Sequence, residues 1–92
     1  MSYRVLQTRR FARQYKKLHN NNIADVDQAI FTIADKPELG ERKKADLALL
    51  RVYKFRSNGQ LYLLGYTVDD EVRLVSLEAI GSHENFYRDI KR

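Results

Sequence analysis

His83 and Tyr87 stand four residues apart, a spacing that puts both on one face if the segment is helical. An unperturbed imidazole titrates near a pKa of about 6.5, so His83 can take or give a proton at neutral pH. A tyrosine ring can stack on a base or donate its hydroxyl. Lys54 and Arg56 flank Phe55 and would point to one side of a strand, presenting two cations to the same phosphate region. The set therefore combines proton transfer with anion binding. Each member also has an ordinary structural alternative: His83 as a surface residue at a helix start, Lys54 and Arg56 as a basic strand face, and Tyr87 with Phe86 as apolar pins for a last helix.

These residues need elements to position them. Tyr3 to Thr8 is β-rich and reads as an opening strand, with Thr8 placed to cap a helix beginning at Arg9. Phe11, Tyr15 and Leu18 recur on one helical face, predicting that this helix runs from about Arg9 to His19, where the Asn20-Asn21-Asn22 run breaks it. His19 falls at the expected end of that helix, where a positive charge suits the dipole, and carries no functional expectation. Ile23, Val26, Ile30 and Ile33 define a second helix that stops at Lys36-Pro37, because proline disfavours the α region in the residue before it. Residues Pro37 to Ala48 read as a loop.

Leu49 to Arg56 and Leu61 to Val68 flank Ser57-Asn58-Gly59-Gln60, and an Asn-Gly pair between β-rich runs marks a hairpin because it tolerates positive φ. A turn at Asp69-Asp70-Glu71 leads to a third strand from Val72 to about Ala79, making a three-stranded antiparallel meander. Ser82 can cap a short last helix from near His83, with Glu84 in its first turn. The expected fold class is α+β, in the order β-α-α-β-β-β-α, with a helical hairpin packed on the antiparallel sheet. At 92 residues, the expectation is one domain over residues 1–92.

Composition narrows the chemistry. With no cysteine, disulfides, thiolate nucleophiles and Cys-based metal sites are excluded. The carboxylates of Asp69-Asp70-Glu71 and Glu84 show no metal-ligand spacing, so neither metal nor other cofactor is expected. The longest apolar stretch, Leu61 to Tyr66, is far too short to span a bilayer, and Met1-Ser2-Tyr3-Arg4 has no signal-peptide character, giving a soluble cytoplasmic protein as the expectation. Seventeen basic residues against 12 acidic ones, net +5, favour a polyanionic or acidic partner, although a basic solvated surface has the same composition. Arg9, Arg10, Arg13, Lys16 and Lys17 concentrate that charge on the first helix, where they can contact RNA phosphates or simply face water.

Three passages together resemble the RelE/ParE superfamily of bacterial toxin–antitoxin toxins. Phe11-Ala12-Arg13-Gln14-Tyr15-Lys16-Lys17-Leu18 is similar to the first helix of that family. Val52-Tyr53-Lys54-Phe55-Arg56 with Tyr62 to Tyr66 is similar to its central hairpin, and Gly81-Ser82-His83-Glu84-Asn85-Phe86-Tyr87 to its C-terminal segment. The resemblance implies a type II toxin neutralised by a cognate antitoxin, expected to be acidic. In the RelE-like branch it implies metal-independent mRNA cleavage on the ribosome, with His83 and Tyr87 in the family's Gly-x-His segment and Lys54 and Arg56 on its nuclease strand. The ParE-like branch poisons DNA gyrase instead, and a non-enzymatic partner-binding module is a third reading. Val52 and Leu63 stand where ribosome-dependent nucleases commonly carry a lysine and an arginine.

Overall fold

The computed structural model describes residues 2–43 and 49–90. Its elements run β1 (Arg4–Gln7), α1 (Arg9–Lys16), α2 (Asn20–Asp35), a 3-10 turn (Pro37–Leu39), β2 (Glu41–Arg42), β3 (Arg51–Ser57), β4 (Gln60–Asp69), β5 (Leu74–Ser82) and α3 (His83–Ile90). The strands form one sheet in the order β1-β5-β4-β3-β2. The antiparallel meander is present, with two additions at its edges: β1 pairs parallel to β5, and β2 pairs antiparallel to β3. Part of the expected Pro37–Ala48 loop is thus a 3-10 turn and an edge strand; residues 44–48 lie outside the described ones.

Thr8 caps α1 as its residue type suggests, its hydroxyl accepting from the Phe11 amide at 3.2 Å. The helix then ends at Lys16, short of His19. The three asparagines form the first turn of α2, and His19 is its N-cap residue, so the dipole argument for a cation there is reversed. Asn22 makes this turn worthwhile: its buried amide donates to Ser57 Oγ at 2.7 Å, and Ser57 donates onward to Asp25 at 2.7 Å. The Asn58 side chain also donates to the Asn21 carbonyl at 2.9 Å, so the start of α2 is tied to the β3–β4 turn. In that two-residue turn Asn58 (φ 51°) and Gly59 (φ 79°) are both left-handed, the geometry that matches the twist of paired strands.

The two faces of the sheet are covered unequally. One receives α1 and α2, with Phe11, Val26, Ala29 and Ile33 packed on Leu64, Tyr66, Val75, Leu77 and Ile80. Leu77 and Ile80 reach the same face although they stand three positions apart, because the β4–β5 register shifts at Gly65/Tyr66. Tyr15 links the two helices by donating to Asp27 at 2.7 Å. Among the described residues, the second face receives only α3, through Phe86 on Leu50, Val52, Leu63 and Ala79.

Candidate functional site

Register places the candidate residues on that second face. Along β3, Val52, Lys54 and Arg56 share one side, and antiparallel partners point the same way. Lys54 therefore lies in a row with Leu63 and Gly81, and Arg56 in the next row with Leu61. Two residues along a strand span about 7 Å, and two strand spacings about 10 Å. Lys54 and Arg56 are exposed, as is His83, which opens α3 at the end of β5. Beside His83 is a notch of about 220 Å³ lined by Gln60, Leu61, Ser82, His83 and Glu84. The structure thus gathers His83, Lys54 and Arg56 on one open surface.

What seats α3 is a missing side chain. Phe86 is 1% exposed and lies over Gly65, where an added Cβ would come within 2.7 Å of the ring. Val52 and Leu63, the two positions where the family resemblance would have placed further cations, are buried under the same helix. Their apolar side chains serve packing here. Tyr87, one turn beyond His83, is half-buried, meets Phe86 edge-on with ring centroids 5.1 Å apart, and has the Lys43 ammonium 5.5 Å from its ring centroid. Interaction with the Tyr87 hydroxyl holds Lys43 above the ordinary lysine pKa. Tyr87 is therefore a packing residue that also brings a cation to this face, a neighbour that reading Lys43 as loop did not suggest.

Arg56 donates to the Gly59 carbonyl at 3.3 Å, which holds its guanidinium towards the hairpin end. Other arginines serve elsewhere. Arg51 points to the helix-covered side and donates to the Gly40 carbonyl at 2.7 Å, while Arg73, at the opposite end of β5 from His83, stacks on Tyr3 at 4.5 Å. Arg88 stays on α3, donating to Asn85 at 2.8 Å.

The basic residues of α1 are not part of this surface. Arg9, Arg13, Lys16 and Lys17 are exposed and Arg10 is half-buried, but α1 packs on the other side of the sheet through Phe11. Two groups of cations thus face opposite ways.

The sequence profile of the ParE-like toxins of type II bacterial toxin–antitoxin systems matches residues 5–91. The chain belongs to this toxin family. The toxin is similar to the RelBE2 toxin–antitoxin complex from Mycobacterium tuberculosis, with a TM-score of 0.75 and 26% identity over 90% of this chain and 93% of that one. It is also similar to the isolated RelE toxin of E. coli (TM-score 0.72, 22% identity, 99% and 98% covered). The intact RelBE complex of E. coli gives TM-score 0.72 at 22% identity, with 87% and 95% covered. The two E. coli likenesses support the fold. Among curated protein sequences none matches the toxin significantly. None of its described helices is long and apolar enough to cross a membrane.

Proposed function

We propose that this toxin is a metal-independent, ribosome-dependent mRNA endoribonuclease that arrests translation and is held in check by a cognate acidic antitoxin. The observation that carries the reading is the exposure of His83, Lys54 and Arg56 in neighbouring positions on the one sheet face that helices leave partly open. Cleavage begins when a base removes the proton of a ribose 2′-hydroxyl. That oxygen bonds to the adjacent phosphorus, the bond to the 5′-oxygen of the next nucleotide breaks, and an acid supplies the proton the departing oxygen needs. The products are a 2′,3′-cyclic phosphate and a 5′-hydroxyl. His83 performs one of the two proton transfers, and Lys54 and Arg56 stabilise the negative charge that builds on the phosphate. Tyr87, with Lys43 at its hydroxyl, orients the phosphate or an adjacent base. The other proton passes to or from water, and none of these roles calls for a metal.

The opposed cations suit a protein that must touch two nucleic acids. The message lies against the open face, and Arg9, Arg10, Arg13, Lys16 and Lys17 on α1 hold ribosomal RNA through sequence-blind phosphate contacts. An acidic antitoxin complements either surface, and the M. tuberculosis relative is itself a toxin–antitoxin complex.

The test is brief expression in bacteria, with translation, message integrity and DNA damage followed in parallel. Early translational arrest with discrete breaks in ribosome-bound messages is expected, and co-expressed antitoxin should relieve it. Early double-strand DNA breaks with intact messages would overturn the nuclease and identify gyrase as the target.

A further inference from the structure

We infer that Lys43 is the cation for a second, non-scissile phosphate of the message, and that with the Tyr87 ring it forms a subsite for the nucleotide attached there. The inference rests on the nuclease reading and extends its site along the RNA strand. The edge strand β2 delivers the lysine. Glu41 pairs with Val52 and Arg42 with Arg51, and Lys43 continues the ladder by donating its amide to the Leu50 carbonyl at 3.0 Å. Antiparallel partners point the same way. Leu50 and Val52 pack under α3, so Lys43 rises on that face as well. Its ammonium lies 5.5 Å from the centroid of the Tyr87 ring and hydrogen-bonds with that side chain. An ammonium has three donors, so those not engaged by Tyr87 remain for a phosphate oxygen.

The placement suits a phosphate other than the one being cut. The strand from Lys54 back to Leu50, with one strand spacing across to Lys43, puts the two lysine Cα atoms about 14 Å apart. Tyr87 likewise lies one helical turn, about 6 Å along the axis, beyond His83. Between Lys54 and Lys43 the same side of β3 carries Val52, which is buried and uncharged. Arg56, Lys54 and the Lys43–Tyr87 pair therefore follow one another along β3 and its edge partner. Single-stranded RNA is held in this way, by cations that track its backbone and rings on which its bases stack. Lys43 is already ordered against the Tyr87 ring, so gripping a phosphate immobilises little more side chain.

Lys43→Met keeps an apolar stem on the ring and removes the charge. Binding is read on ribosomes stalled with a message whose nucleotide at the cut is 2′-O-methylated, which removes the attacking hydroxyl. Lys43→Met should weaken binding about fivefold and lower the slope of log affinity against log salt by about 0.7, the share of one phosphate contact on a single strand. Lys43→Arg should restore both. On cleavable messages the loss should fall in KM rather than kcat. Replacing the phosphates around the cut one at a time by neutral methylphosphonates locates the contact. At one non-scissile position the wild type should lose as much affinity as Lys43→Met has lost, and Lys43→Met should lose no more. Wild-type affinity in Lys43→Met, or equal sensitivity of the two proteins at every phosphate, would overturn the inference and leave Lys43 as a pin between β2 and α3. A toxin that shows the Lys43-dependent phosphate but cuts no unmodified message would refute the nuclease and keep the subsite; cleavage without such a phosphate would do the reverse.

Discussion

The two sides of the sheet solve different problems. On the helix-covered side, Phe11, Val26, Ile33, Leu64, Tyr66 and Val75 are at most 1% exposed, and among the described residues the buried polar side-chain groups are hydrogen-bonded. Tyr66 shows how completely: its hydroxyl donates to the Pro37 carbonyl at 2.6 Å and accepts from the Gly40 amide at 2.8 Å. On the other side a helix of eight residues covers Val52 and Leu63 and stops short of Lys54 and Arg56. A cation left in water avoids the desolvation that a buried one must offset with partners. Stability is concentrated on one face, which lets the second hold exposed cations at low structural cost.

His83→Ala should have the largest effect. Single-turnover cleavage on programmed ribosomes is expected to fall about 10²- to 10⁴-fold, the usual contribution of a positioned acid or base. His83→Gln should be similarly impaired, and thermal stability should change little because the side chain is exposed. Wild-type rates in either variant would remove His83 from the mechanism.

Tyr66→Phe attacks the closed face and should show the opposite pattern. It orphans a buried amide and a buried carbonyl, costing about 1–3 kcal/mol for each group in denaturant unfolding, while cleavage by the remaining folded protein persists. Burial pushes the Tyr66 pKa above its ordinary 10.0. The folded state then keeps the proton that the unfolded chain has lost, so this contribution is complete below about pH 10 and disappears as pH rises through the folded value. Hydrogen bonds to Asp70 and Asp27 raise Tyr3 and Tyr15 as well, so Tyr66→Phe should reduce the alkaline loss of stability without abolishing it. An unchanged alkaline limb would show that burial of Tyr66 does not govern it.

Gly65→Ala sits between these cases. Its methyl meets the Phe86 ring, so overpacking should cost about 1–3 kcal/mol and unseat α3, lowering cleavage along with stability. Adding Phe86→Leu should restore part of both, and no recovery in the double variant would show that the Gly65–Phe86 contact is not what places the helix. The smallest stability effects should come from Lys54→Ala and Arg56→Ala, each within about 0.5 kcal/mol by denaturant titration yet reduced in toxicity. Unfolding of both variants would make these side chains structural and displace the proposed site.

Much of this division was legible in the sequence. The Asn58-Gly59 turn fixes the β3–β4 register, which sets the pairs Lys54↔Leu63 and Arg56↔Leu61 and hence the side of the sheet on which the cations lie. Three things were hidden. The irregularity at Gly65/Tyr66 shifts the β4–β5 pairing, and a strand glycine signals a bulge or a close approach without saying which, so the distance from Lys54 to the Gly-x-His segment could not be counted along the strands. The Asn20–Asn22 run has low helix propensity and read as a break, because the burial of Asn22 against Ser57 depends on a strand 35 residues away. Gln60 and Glu84 looked like a turn residue and a helix-start acid, and only the fold shows them sharing a notch.

The parallel pairing of β1 with β5 sets an order of assembly. Arg4 pairs with Leu74 and Gln7 with Leu77, residues separated by 70 positions. The first strand must therefore wait for nearly the whole described sheet to be synthesised before it finds its neighbour, and forming so distant a pair slows folding. His83 comes directly after β5. The strand that closes the sheet and the histidine that opens α3 thus reach the growing chain almost together, so the exposed group of His83, Lys54 and Arg56 is incomplete during most of the chain's synthesis.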